Sequence, residues 1–193
     1  NSLEPPKKQT RSRRKTNYKG AAKKETSGIV PKTDTQRDLI AALISSNQVF
    51  ILGPAGTGKT YVTATHAADL YTTKQVDKIV ITRPHDTVGK DIGYLALMRG
   101  RSFDNSFIIV DETQNITTHE LKMLLTRVGE NSRIVLNGDV QQSDLSVGDG
   151  LSKVIHLAKK HMLPVPVIEF GVDDIIRSDI CAQWVKVFLK EKI

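Results

Sequence analysis

The stretch Val49-Phe50-Ile51-Leu52-Gly53-Pro54-Ala55-Gly56-Thr57-Gly58-Lys59-Thr60 decides how the rest of the chain is read. Four apolar residues form a short strand of the kind buried on both faces. They run directly into Gly53–Thr60, a complete G-x-x-x-x-G-K-[ST] pattern. The residue types follow from the task of holding phosphate. Gly53, Gly56 and Gly58 permit backbone angles that let the segment Pro54-Ala55-Gly56-Thr57-Gly58 turn its N–H groups, from Ala55 onward, toward phosphate oxygens. Lys59 adds a mobile ammonium for the β- and γ-phosphates. The Thr60 hydroxyl is a Mg²⁺ ligand, and Tyr61 follows at the start of the next element. Lys59–Leu70 reads as a helix, whose N-terminus adds its positive dipole end.

Outward from this loop, strands and helices alternate. Asp34–Ser45 has helical spacing, with Thr33 or Asp34 as N-cap. Lys78–Thr82, Phe107–Val110, Arg133–Asn137 and Pro166–Phe170 read as strands. Thr117–Val128 reads as a helix opened by a Thr117-x-x-Glu120 capping box. Gly150–Lys160 is a further helix, and Asp173–Lys190 is expected to be mostly helical. Continuous apolar strands separated by helices predict an α/β fold: three layers around a mainly parallel sheet of five or more strands.

A second sheet edge carries acid. Phe107–Val110 leads into Asp111-Glu112, which places two carboxylates beside the phosphate loop. Asp111 is the candidate second Mg²⁺ ligand, and Glu112 the candidate general base for an attacking water. The strand at Arg133–Asn137 ends in Gly138-Asp139-Val140-Gln141-Gln142. Gln142 is the candidate for sensing the γ-phosphate, with a plain polar loop as the alternative.

Charge is unevenly distributed. Residues 1–28 contain nine Lys/Arg against Glu4 and Glu25, so the whole +7 excess lies there and the remainder is balanced. This segment is too poor in apolar groups to offset its ordering entropy and reads as a disordered arm. It suits phosphate contacts through counterion release, or localisation, or simply a solvated linker. Residues 29–193 form the expected single domain. Cys181 is the sole cysteine, which excludes an intrachain disulfide and fits a cytoplasmic protein. No apolar run reaches membrane-spanning length, no secretory signal is legible, and no membrane partner is expected. His66, His85, His119, His156 and His161 form no ligand-spaced cluster.

Several further motifs give the chain a family likeness. They are Thr82-Arg83-Pro84, Met98-Arg99-Gly100-Arg101-Ser102, Asp111-Glu112-x-Gln114-Asn115, Leu125-Thr126-Arg127-Val128-Gly129 and Gly138-Asp139-x-x-Gln142. With the phosphate loop, they resemble the PhoH-like P-loop ATPases over about Gln36 to Lys186. The resemblance implies a RecA-like core related to superfamily 1 helicases, Mg²⁺-dependent ATP hydrolysis, and coupling to single-stranded nucleic acid, RNA rather than DNA. It implies that Gln36 reads adenine and that Arg83 touches nucleic acid, the alternative for Arg83 being a surface ion pair. One such domain lacks the second half of a helicase site. The resemblance therefore implies a homo-oligomer, a hexameric ring, with an arginine supplied in trans. Arg127 and Arg177 are the first candidates, ahead of Arg99 and Arg101.

Family members usually have several dozen more residues where Gly93-Tyr94-Leu95 here runs straight into Ala96-Leu97-Met98. An omission at the Leu95/Ala96 junction is the favoured reading. Two other functions compete: a nucleotide-dependent switch or assembly factor that does not translocate, and a small-molecule kinase with Arg99 and Arg101 in a lid. The Asp-Glu-x-Gln sequence argues for water as the acceptor.

Overall fold

A computed structural model describes residues 28–84, 102–139, 150–176, 183, 184, 187, 188, 190 and 191. Within them, the strands are β1 (Gln48–Leu52), β2 (Lys78–Thr82), β3 (Ser106–Val110), β4 (Arg133–Gly138) and β5 (Val167–Glu169). The α-helices are α1 (Asp34–Ser45), α2 (Lys59–Thr72), α3 (Thr118–Leu125) and α4 (Gly150–Lys160). The strands form one sheet in the order β2-β3-β4-β1-β5, and every pairing is parallel. This is the α/β, parallel-sheet arrangement expected from the alternating pattern.

Strand alternation sorts the core into two layers. Val49, Ile51, Phe107, Ile109 and Val135 face α1 and α2 with Leu39, Leu43, Val62 and Leu70. Phe50, Ile108, Val110, Ile134 and Leu136 face α3 and α4 with Leu121, Leu124, Leu151 and Ile155. Strands β3 and β4 are buried almost throughout, which explains their unbroken apolar sequences.

Two elements differ from the sequence reading. The helix expected over Thr117–Val128 ends at Leu125, because Val128 is drawn into a parallel bridge with Phe103 just before β3. Its start is as expected: Thr117 Oγ1 accepts from Glu120 N–H, and Glu120 Oε2 accepts from Thr117 N–H at 2.9 Å. The C-terminal helix does not begin at Asp173. Val172–Asp174 is a 3-10 turn, Ile175 leaves it with extended backbone, and Ile176 N–H then donates to Gly56 O of the phosphate loop at 2.9 Å. Helical backbone is present at 183, 184, 187, 188, 190 and 191.

The phosphate loop is held from below and from both sides. Gly53 N–H donates to Gly138 O at 3.1 Å, tying the end of β1 to the end of β4. Gln36, on α1 and 3% exposed, donates its Nε2 to Thr57 O at 2.9 Å and accepts from Lys32 N–H at 2.9 Å. Gly58 caps α2 in the left-handed region (φ 86°), and a Cβ there would meet Gln36 Nε2 at 2.6 Å. Gly58→Ala should therefore cost about 1–2 kcal/mol for the backbone conformation alone. Thermal unfolding checks this, and an unchanged midpoint would refute the account.

His66 on α2 is 1% exposed and stacks edge-on against Phe107, with ring centroids 5.8 Å apart. Neither ring nitrogen makes a hydrogen bond, the nearby Leu43 carbonyl being taken by Arg133 Nη1 at 3.0 Å. Burial, aided by the Arg133 charge, pushes the imidazole pKa down from 6.5 to about 4. The unfolded chain thus takes up this proton at a higher pH than the folded protein. Stability from this group is complete above pH 6.5 and is lost as pH falls toward 4, by at most roughly 3 kcal/mol. Unfolding midpoints measured from pH 7.5 to 4.5 should fall, and His66→Leu should flatten that slope.

Candidate functional site

Parallel register brings the C-terminal ends of β1, β3 and β4 to one edge. Leu52 pairs with Gly138, and Val110 with Leu136. The residues that follow therefore share a cleft lined by the phosphate loop, Asp111, Glu112, Gln114, Asn137 and Asp139. It lies where the chain leaves β1 for α2 on one face of the sheet and β4 for α4 on the other, the position at which open α/β sheets bind ligands.

Lys59 Nζ lies across its own loop, donating to Pro54 O at 2.7 Å and to Gly53 O. Burial lowers its pKa, while Asp139 and Asp111 oppose that shift. Its charge is thus held between the loop carbonyls and two carboxylates at the strand ends. Gly53 has φ 128°, and a Cβ there would meet Phe170 O at 2.4 Å, so no larger residue fits between the loop and β5. Thr57 Oγ1 is buried and closes the loop by donating to Pro54 O at 3.1 Å.

Thr60 Oγ1 and Asp111 Oδ2 lie 3.4 Å apart. Two oxygen donors at that spacing beside the loop suit a hard divalent cation such as Mg²⁺, which keeps several waters and takes few protein ligands. Asp111 Oδ1 accepts from Glu112 N–H at 3.2 Å, which fixes the carboxylate. Glu112 has φ 53°, uncommon for a residue with a Cβ. That bend ends β3 and lets Thr113–Asn115 form a 3-10 turn across the end of β4. There Thr113 Oγ1 donates to Asn137 O at 2.8 Å, and Gln114 Oε1 accepts from Asp139 N–H at 3.0 Å.

Asn137 was not singled out in the sequence. Alternation sends it to the α2 face with Val135, and the continued register sets it beside Asp111. It is fully buried, and neither Oδ1 nor Nδ2 has a partner. Such a group carries a desolvation cost that folding alone does not recover. The available signal was a polar residue closing an otherwise apolar strand. Asp139 was visible only as part of a polar cluster, although it helps set the field at Lys59. Gln114 was visible only as part of a family motif.

The other expected residues are distributed as follows. Tyr61 lines the cleft and is 68% exposed. Gln36 does not line it; both ends of its amide are engaged with Lys32 and the phosphate loop. Arg83, just after β2, is ion-paired with Glu112. Arg127 lies at the opposite sheet edge, where its carbonyl accepts from Phe103 N–H ahead of β3. Gln142, Arg99, Arg101, Arg177, the Leu95/Ala96 junction and the basic arm up to residue 27 lie outside the described residues. Among the described residues, no helix is long and apolar enough to cross a membrane.

Comparison with known proteins gives the chain its relatives. A family model described as PhoH-like protein matches residues 28–97 and 94–189, in two pieces that meet near the Leu95/Ala96 junction. Protein PhoH of Escherichia coli strain K12 is 30% identical over 211 residues, covering 86% of this chain and 59% of the relative. A PhoH-like protein of Bacillus subtilis is 31% identical over 204 residues, covering 83% and 64%. Both alignments are longer than this 193-residue chain, so they include positions that it lacks. The chain spans about three fifths of the length of these relatives. The crystal structure of Pif1 helicase from Candida albicans superposes with a TM-score of 0.46 at 15% identity, over 74% of this chain and 40% of that one, too remote to support any argument. The family match, spread over nearly all of the described sheet and its phosphate loop, means that this chain belongs to the PhoH-like family.

Proposed function

We propose that this protein binds ATP with Mg²⁺, hydrolyses it, and couples hydrolysis to single-stranded RNA. The observation that carries the reading is the convergence of Lys59, Thr60, Asp111, Glu112 and the unpartnered Asn137 amide at one cleft.

Each residue has a role that its position supports. The loop N–H groups from Ala55 to Thr60 receive the phosphates at the start of α2. Lys59 exchanges its loop carbonyls for β- and γ-oxygens as they arrive. Thr60 and Asp111 hold Mg²⁺, which when bound supplies charge neutralisation across those oxygens. Glu112 orients the attacking water and takes its proton. The Asn137 amide, together with Gln142, contacts that water or the γ-phosphate. Tyr61 offers an exposed ring at the cleft mouth for the nucleotide. An adenine edge reaching Gln36 takes over one of the amide's two present bonds.

Charge developing on the γ-phosphate calls for a further cation. We assign it to a neighbouring copy in a homo-oligomer, a hexameric ring, with Arg127 or Arg177 acting in trans. Arg127 is suited to this, because it lies at the sheet edge away from its own cleft. An arginine supplied this way contributes about 10³ to 10⁵ in rate. Mixing Arg127→Ala or Arg177→Ala subunits with Lys59→Ala subunits should restore activity at mixed interfaces, and no recovery from either mixture would remove the idea.

Phosphate release from ATP, with and without a single-stranded RNA oligonucleotide, tests the main reading. Release should require Mg²⁺, rise with RNA, and fall at least ~100-fold in Lys59→Ala, the scale of losing one preorganised charge-stabilising donor. A wild-type protein that releases no phosphate under either condition is not an ATPase. Asn137→Leu should separate catalysis from folding. Removing two unpaired buried polar atoms should hold or raise the unfolding midpoint while turnover falls at least ~10-fold. Unchanged turnover would deny Asn137 a role.

A further inference from the structure

The Arg83–Glu112 ion pair joins two residues that the proposed function uses for different purposes. Arg83 follows β2, and Glu112 follows β3. Those strands are parallel neighbours, with Thr82 opposite Val110, and Asp111 N–H donates to Thr82 O at 2.8 Å. The two loops are thus locked in register one residue before each side chain. The bend at Glu112 (φ 53°) turns its carboxylate away from the line of β3, and Oε1 meets the Arg83 guanidinium. The Arg83 side chain remains 62% exposed, and that of Glu112 34%. The pair therefore lies at the mouth of the cleft, where a large ligand can reach the arginine.

The two tasks conflict. A carboxylate with Oε1 held by a guanidinium is aimed at that partner, which restrains how it can be turned toward a water beside the γ-phosphate. A guanidinium committed to a carboxylate has fewer donors for a phosphodiester. Arginine binds carboxylate and phosphate with the same fork of N–H groups, so the two anions compete for it directly.

We propose that Arg83 is a latch on Glu112. The phosphodiester backbone of a single-stranded polynucleotide takes the guanidinium and so frees the Glu112 carboxylate to orient water. Polynucleotide contact and hydrolysis are then linked through one exchange of ion-pair partner, without movement of the sheet. The latch rests on the ATP-hydrolysis reading above and adds to it how the polynucleotide acts. Because a partly exposed pair is weak, it should be easily displaced and should restrain basal turnover only a few-fold.

Two measurements test it. The first is ATP turnover of the wild type and Arg83→Ala, each with and without a single-stranded RNA oligonucleotide, repeated with DNA of the same sequence. Arg83→Ala should raise the rate without polynucleotide roughly three- to fivefold, the scale of an exposed pair, and should lose most of the stimulation. A basal rate that falls or stays level overturns the latch. The second is RNA affinity, by fluorescence anisotropy, of wild type, Glu112→Gln, Arg83→Ala and the double variant. Glu112→Gln should tighten binding about three- to fivefold, and the gain should vanish on the Arg83→Ala background. No gain, or a gain that persists without Arg83, overturns the proposal. A protein that turns over no ATP would defeat the hydrolysis reading, and the affinity cycle would still decide whether Glu112 restrains Arg83. Arg83 is exposed, so matching unfolding midpoints should confirm that the variants are folded.

Discussion

The parallel alignment of β1, β3 and β4 is the constraint on which the rest of the structure depends. Leu52 lies opposite Gly138, and Val110 opposite Leu136. That register alone delivers three separate loops to one edge of the sheet. A slip of one residue in β3 would turn Asp111 to the α3/α4 face and remove it from Thr60. The apolar content of the strands therefore does more than fill a core. Phe107 and Ile109 on one face, and Ile108 and Val110 on the other, fix the register that sets the carboxylates.

Around that edge, polar groups are matched with few exceptions. The phosphate loop is tied to β4 by Gly53 N–H, to α1 by Gln36 and to the segment after β5 by Ile176 N–H. The acidic turn is tied to β4 by Thr113 and Gln114. Among the described residues, the buried polar atoms without partners belong to His66, Asp69 and Asn137, and Asn137 contributes two of them at the cleft itself. Stability sacrificed at one position inside an otherwise satisfied network is the pattern expected where a site is built to meet a ligand. His66, also unpartnered and with a lowered pKa, points from α2 into the core against Phe107. It affects how stability varies with pH and does not line the cleft.

Much was legible in the sequence for physical reasons that are local. The strands are short apolar runs bounded by turn residues, α3 opens on a capping box, and the phosphate loop is specified by backbone freedom at glycines. Gly53 and Gly58 show why: one cannot carry a Cβ against Phe170, the other against Gln36. What was illegible depends on contacts between distant segments. Val128 could continue a helix on propensity, yet its bridge to Phe103 ends it. Asp173-Asp174 looks like a helix start, yet the chain opens there so that Ile176 can reach Gly56.

The sequence by itself determined the α/β class, the phosphate loop, the acidic pair and the family, because each is written in contiguous residues whose chemistry fixes their arrangement. Only the tertiary structure decided what those parts do to one another. It engaged both ends of the Gln36 amide, brought an orphaned Asn137 beside Asp111, sent Arg127 to the far edge, and joined Arg83 to Glu112. Apart from the bond between Lys32 and Gln36, these arrangements join segments distant in the chain, which only the packing of helices and the order of strands bring together.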